Sequence, residues 1–190
     1  MNFVENSNGI DKTWTLFLDR DGVINEECVG SYITNWNEFN FLEGAVDALK
    51  ILSNKFGLIV IVTNQRGVEK GIMTLNDLRD INSNILQSVS LQGAKIDRIY
   101  NCTALLDTDQ NRKPNTGMAM QAKADFPNID FKRSIMIGNS LSDMEFGKRM
   151  GMHTVFITTK YEPLTLPHDL IDEQYDSLYD WTLKLVPTAA

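Results

Sequence analysis

The run Leu58-Ile59-Val60-Ile61-Val62-Thr63-Asn64 constrains the fold of this chain more than any other stretch. It has no polar alternation before Thr63 and is rich in β-branched residues. A strand of that kind is apolar on both faces, as in a parallel sheet covered by helices on both sides. The rest of the sequence agrees. "WTLFL" (14–18), "KIDRIYNC" (95–102), "SIMIGN" (134–139) and "HTVFIT" (153–158) read as further strands. Helical patterns fall between them. Residues 44–57 place Val46, Leu49 and Leu52 on one face and stop at Gly57. Thr74 caps a helix that runs to about Leu91, with Asp77 as an acid in its first turn. Residues 116–125 and 141–151 are helical, and the looser tail holds a last helix near 177–185. Alternation of strand and helix implies an α/β fold with a doubly wound parallel sheet. At 190 residues, 43% of them hydrophobic, the chain supports one domain over 1–190. A small flap is expected at about 23–43 and a C-terminal tail from about 160.

In doubly wound sheets, ligands bind beyond the carboxyl ends of the strands. The polar residues at those ends form a coherent set. The strand at 14–18 delivers Asp19 and Asp21, and the strand at 58–62 delivers Thr63, Asn64, Gln65 and Arg66. The loop after the third strand carries Arg112-Lys113-Pro114, and the fourth strand leads to Asn139 and Asp143. Two carboxylates at i and i+2 hold a divalent cation, and a donor set of oxygens points to Mg²⁺. One carboxylate can serve as a nucleophile and the other as a general acid and base. Thr63 offers a hydroxyl to phosphoryl oxygens. Lys113 adds a point charge, and Arg112 a planar fork suited to phosphate. These are the parts that draw charge off a transferring phosphoryl group.

Other classes fare worse. A net charge of -7 argues against nucleic acid or an anionic membrane as a partner. No window approaches the length of a membrane span, and "MNFVENSNGIDK" lacks the basic start and apolar stretch of a signal peptide. The expected setting is the cytoplasm. Cys28 and Cys102 form no C-x-x-C pair and the chain has only His153 and His168, so neither a disulfide framework nor a zinc cluster is expected. His153 reads as structural and His168 as a surface-loop residue. The methionines read as core filler, and Tyr32 and Trp36 lie in the flap, where aromatic rings either pack or touch substrate.

"LFLDRDGVIN", "IVTNQRGVEKG", "NRKPNTGM" and "IMIGNSLSDMEFGKRMGMHTVFI" together resemble the four motifs of the haloacid dehalogenase superfamily. More narrowly they resemble subfamily IIIA, the branch of histidinol-phosphatases and D-glycero-D-manno-heptose 1,7-bisphosphate phosphatases. The likeness spans about residues 12–160. It implies a phosphomonoesterase that uses Mg²⁺ and acts on a small phosphorylated metabolite, a sugar phosphate such as heptose bisphosphate. Histidinol phosphate is the near alternative, and a nucleic-acid 3′-phosphatase or a non-catalytic phosphometabolite-binding protein the more distant ones. The resemblance assigns Asp19 as nucleophile, Asp21 as acid and base, and Thr63 and Lys113 as phosphoryl stabilisers. It assigns Mg²⁺ to the Asp19 side chain, the Asp21 carbonyl and Asn139, with Asp143 behind. Asn64, Gln65, Arg66, Arg112 and Ser140 are the expected substrate-binding residues. The short spacing between motifs leaves little room for a large cap. Three departures stand out. The fourth motif begins Gly138-Asn139 where the family has Gly-Asp, which implies weaker metal binding, tightened in Asn139→Asp. Ser140 stands where a lysine is common. The zinc loop of close relatives keeps only Cys102, so no zinc is expected. A monomer or weak homo-oligomer is expected.

Overall fold

The computed structural model describes residues 9–28, 30–159 and 162–186. The opening residues 1–8, read above for a signal peptide, lie outside them, as do Val29, 160–161 and 187–190 of the expected single domain. The elements in chain order are β1 (Thr15–Leu18), α1 (Ala45–Lys55), β2 (Leu58–Asn64), α2 (Leu75–Leu91), β3 (Arg98–Cys102), α3 (Gly117–Asp125), β4 (Ser134–Gly138), α4 (Leu141–Met150), β5 (His153–Ile157), β6 (Glu173–Tyr175) and α5 (Leu178–Lys184). All six strands pair in parallel, in the order β3-β2-β1-β4-β5-β6. The doubly wound α/β fold expected from the sequence is therefore the one observed.

The unbroken apolar strands have a direct structural cause. Along β1, Leu16 and Leu18 join a core with Leu49 and Leu52 of α1, Ile81 and Ile85 of α2, and Trp181 of α5. Phe17 points the other way, into a second core with Met118 and Ala122 of α3 and Phe146 of α4. Alternate residues of β2 and β4 divide between the same two layers. The central strands β1, β2 and β4 are apolar at nearly every position because both of their faces are roofed.

Two elements differ from the sequence reading. β3 begins at Arg98, not at Lys95, because side chains occupy the preceding backbone: Asp97 Oδ2 accepts the Ile59 N–H at 2.7 Å, and the Lys95 N–H donates to Ser53 Oγ at 2.8 Å. The tail is more regular than expected. Glu173–Tyr175 adds a sixth strand beside β5, helped by a 2.7 Å contact between His153 Nε2 and Glu173 Oε1. No apolar run announces this strand, since all three of its residues are only half-buried. The described residues of the 23–43 segment form loops around one short 3-10 turn at Trp36–Glu38. Val23, Ile24, Ile33 and Phe39 join the main core, and Trp36 stacks on Phe39 at 4.9 Å between ring centroids. Trp36 is thus a packing residue, whereas Tyr32 lines the pocket described next. Among the described residues, no helix is long and apolar enough to cross a membrane.

Candidate active site

The chain runs outward from β1 through β2 to β3, then returns to place β4 on the other side of β1. Ligands of open α/β sheets bind at such a reversal, beyond the strand ends. A pocket of about 220 Å³ opens there. Its wall includes Asp19, Asp21, Thr63, Asn64, Gln65, Lys113, Asn139, Ser140 and Asp143. The four polar strand ends of the sequence therefore meet in one place.

At the centre lies Lys113, whose side chain is 2% exposed. Its Nζ is 2.8 Å from Asp19 Oδ1 and 2.6 Å from Asp143 Oδ1, and it donates to the Val62 carbonyl at 2.6 Å. Burial opposes its charge, but Asp143 and Asp19 outweigh that and hold the ammonium above the ordinary lysine range. Asp19 is fixed by the backbone, since its N–H donates to the Ile137 carbonyl at 2.9 Å and extends the β1–β4 pairing. Burial pushes its carboxyl up to about 7, Asp143 and Asp21 adding to the effect and Lys113 opposing it. Four carboxylates, those of Asp19, Asp21, Glu27 and Asp143, thus crowd a pocket that holds the cations of Lys113 and Arg20.

Asp21 is held differently. Arg20 reaches both of its oxygens, at 2.9 and 3.0 Å, from a fully buried side chain. Asn25 Nδ2 donates to Oδ1 at 2.9 Å and Gln65 Nε2 to Oδ2 at 2.7 Å. Burial raises the Asp21 pKa, but the Arg20 charge and these donors overcome it and keep the carboxyl below its usual range. Gln65 also donates to Thr63 Oγ1 at 2.9 Å, so one amide ties the ends of β1 and β2 together. Asn64 does the same for the Lys113 loop. Its Nδ2 donates to the Lys113 carbonyl at 3.2 Å and its Oδ1 accepts the Lys113 N–H at 3.1 Å. In this arrangement the amides of Asn64 and Gln65 are engaged with the protein's own groups.

On the β4 side, Ser140 caps α4 and Asp143 reaches back to the cap. Gly138 makes room for this: a Cβ there would lie 2.3 Å from the Asp143 Cβ. Asn139 turns its Nδ2 toward Glu27 Oε2 of the flap at 3.3 Å. Gly22 lies against the same nitrogen, has a φ of +79°, and could carry no side chain. Arg66 and Arg112 do not reach the pocket wall. Both pair with Asp107, Arg112 Nε at 3.0 Å, so they hold the 103–115 loop in place. Cys102 is buried, and its thiol donates to Asp109 Oδ1 at 3.5 Å in the same loop.

Six pocket residues were not picked out from the sequence: Arg20, Glu27, Cys28, Ser31, Ile33 and Ser142. Arg20 gave a signal, since an arginine between two strand-end aspartates has its partner beside it. The flap residues gave none, because only the fold brings them to the strand ends. As for a cation, the oxygen-bearing side chains that line the pocket are carboxylates, amides and hydroxyls. That hard-oxygen set fits Mg²⁺. Among the described residues no group of three or more His, Cys, Asp or Glu is disposed to hold a metal by itself.

Comparisons with known proteins agree with this fold. Residues 110–180 match the family model for HAD-hydrolase-like proteins. The D-glycero-α-D-manno-heptose-1,7-bisphosphate 7-phosphatase of Mycobacterium tuberculosis is 33% identical over 173 residues, covering 90% of this chain and 91% of that one. The D-glycero-β-D-manno-heptose-1,7-bisphosphate 7-phosphatase of Yersinia pestis is 28% identical, covering 89% of each. The crystal structure of a D,D-heptose 1,7-bisphosphate phosphatase from B. bronchiseptica, complexed with magnesium and phosphate, superposes with a TM-score of 0.79. It is 22% identical and covers 90% of this chain and 97% of its own.

Proposed function

The chain belongs to the haloacid dehalogenase-like phosphatases, and from that premise we propose that it removes the 7-phosphate of a D-glycero-D-manno-heptose 1,7-bisphosphate with Mg²⁺, through an aspartyl phosphate on Asp19. The observation that carries this reading is the buried Asp19–Lys113–Asp143 array at the sheet's reversal point, with Asp21 two residues on. Close relatives with heptose bisphosphate activity in their names support the substrate.

The chemistry follows from the residues present. An Asp19 oxygen attacks phosphorus as the bond to the sugar oxygen breaks. Asp21 gives its proton to the departing alkoxide. A water then attacks the aspartyl phosphate, Asp21 takes the water's proton, and inorganic phosphate leaves with Asp19 restored. In this arrangement Asp21 is held as a carboxylate by Arg20, Asn25 and Gln65. Its acid step therefore needs a proton and a looser grip from Arg20. Lys113 steadies Asp19 and the phosphoryl charge. Bound at the Asp19 side chain, the Asp21 carbonyl and Asn139, Mg²⁺ would supply charge neutralisation on the phosphoryl oxygens. Thr63 lines the same pocket.

The test is phosphate release from a panel of heptose bisphosphates in both anomers, histidinol phosphate, sugar monophosphates and 3′-phosphorylated DNA ends. Highest kcat/KM on a heptose 1,7-bisphosphate, abolished by EDTA, is the expected result. A preference for histidinol phosphate or DNA ends would overturn the substrate, and no hydrolysis with any divalent ion would overturn the enzyme.

A further inference from the structure

The contact between Glu27 and Asn139 leads one step further, and this step rests on the phosphatase reading above. Asn139 sits at the end of β4 with an uncharged side chain, where a cation site gains from a carboxylate. The flap brings one back. Glu27 lines the same pocket as Asp19, Asn139 and Asp143, and its Oε2 accepts a hydrogen from Asn139 Nδ2 at 3.3 Å.

A primary amide has a donating end and an accepting end, whereas a carboxylate only accepts. Glu27 therefore decides which end of Asn139 turns to the flap, and it is the nitrogen. Gly22 leaves the space in which the Asn139 amide lies. The Asn139 oxygen is then the end free to meet an electrophile. We propose that Glu27 is a positioning residue for the cation site: it presents the Asn139 oxygen to Mg²⁺ and returns to the pocket the negative charge that Asn139 lacks. The two residues form a matched pair. An aspartate at 139 would meet Glu27 carboxylate to carboxylate, and a neutral residue at 27 would leave the Asn139 amide without a fixed direction.

Mg²⁺ titration by calorimetry on the full chain tests the pair without relying on turnover. Glu27→Gln is expected to weaken Mg²⁺ binding by about 10- to 100-fold, the range for residues that orient a ligand from behind. Adding Asn139→Asp to Glu27→Gln is expected to bring affinity back to the wild-type value or tighter. Glu26→Gln removes the same charge one residue away, on an exposed side chain, and is expected to change affinity far less. Unchanged binding in Glu27→Gln, no recovery in the double variant, or an equal loss in Glu26→Gln would overturn the pairing. If the wild type hydrolyses its substrate and binds Mg²⁺ while Glu27→Gln binds it equally well, only the pairing fails. A wild type that binds no Mg²⁺ takes the phosphatase reading down with it.

Discussion

Helices α2 and α4 begin with the same set of hydrogen bonds. At α2 the Asp77 N–H donates to Thr74 Oγ1 at 3.1 Å, and Asp77 Oδ2 accepts from the Thr74 N–H and hydroxyl, both at 2.7 Å. At α4 the Asp143 N–H donates to Ser140 Oγ at 3.3 Å, and Asp143 Oδ2 accepts from the Ser140 N–H at 3.0 Å and hydroxyl at 2.7 Å. The surroundings differ. Thr74 and Asp77 sit on the surface and serve the helix end. Asp143 is fully buried, and its second oxygen meets Lys113 at 2.6 Å. One local device thus does two jobs. At α2 it starts a helix; at α4 it also aims a carboxylate at the ammonium that holds Asp19. What separates them is burial and one lysine delivered by a distant loop.

The largest effect expected is from Lys113→Met. It leaves Asp19 and Asp143 buried without their shared cation, and breaking such a pair costs about 3–5 kcal/mol. Urea unfolding at neutral pH should show that loss, together with activity reduced to background. Asp143→Asn comes next. An amide oxygen can still accept from the cap, so folding should survive, while kcat/KM falls about 10- to 100-fold through the loosened Lys113. Asp77→Asn should leave kcat/KM unchanged. If the two substitutions alter catalysis equally, the contrast between the helices is wrong.

The hydroxyls sharpen the contrast further. Ser140→Ala and Thr74→Ala should each lower stability by about 1 kcal/mol as lost N-caps. Only Ser140→Ala should also lower kcat/KM. The smallest effect is one of pH. Hydrogen bonds from the Thr74 hydroxyl and backbone hold the Asp77 carboxyl below its ordinary range. A carboxyl lowered in the folded state adds stability that is present above its unfolded pKa and lost as pH falls through the folded one. Thermal melts of wild type and Asp77→Asn should therefore differ near neutrality and converge in acid. A gap that widens in acid would reverse the assignment.

The strand ends were legible because each closes an apolar run: "LFL" before Asp19, "LIVIV" before Thr63, "SIMIG" before Asn139. A sheet roofed on both faces leaves such polar residues nowhere to go but its edge, and the parallel order brings those edges together. Thr74 and Asp77 were equally readable, being three residues apart. What each polar group does once there was less visible. Asn64 and Gln65 read as substrate contacts, yet their amides are spent on Lys113 and on Asp21 and Thr63. Arg66 and Arg112 read as substrate-binding residues, yet both share Asp107, a residue with no distinguishing pattern around it. β6 escaped because three half-buried residues at a sheet edge carry no periodic signal.

Everything assigned to this site turns on Asp19 as the group that takes the phosphoryl. Acid quenching during turnover, borohydride reduction and peptide mass analysis test this directly, since an aspartyl phosphate is reduced to homoserine. Homoserine at position 19, absent without substrate and absent in Asp19→Asn, is the predicted result. Continued phosphate release with residue 19 recovered only as aspartate, or an Asp19→Asn variant that turns over normally, would contradict it.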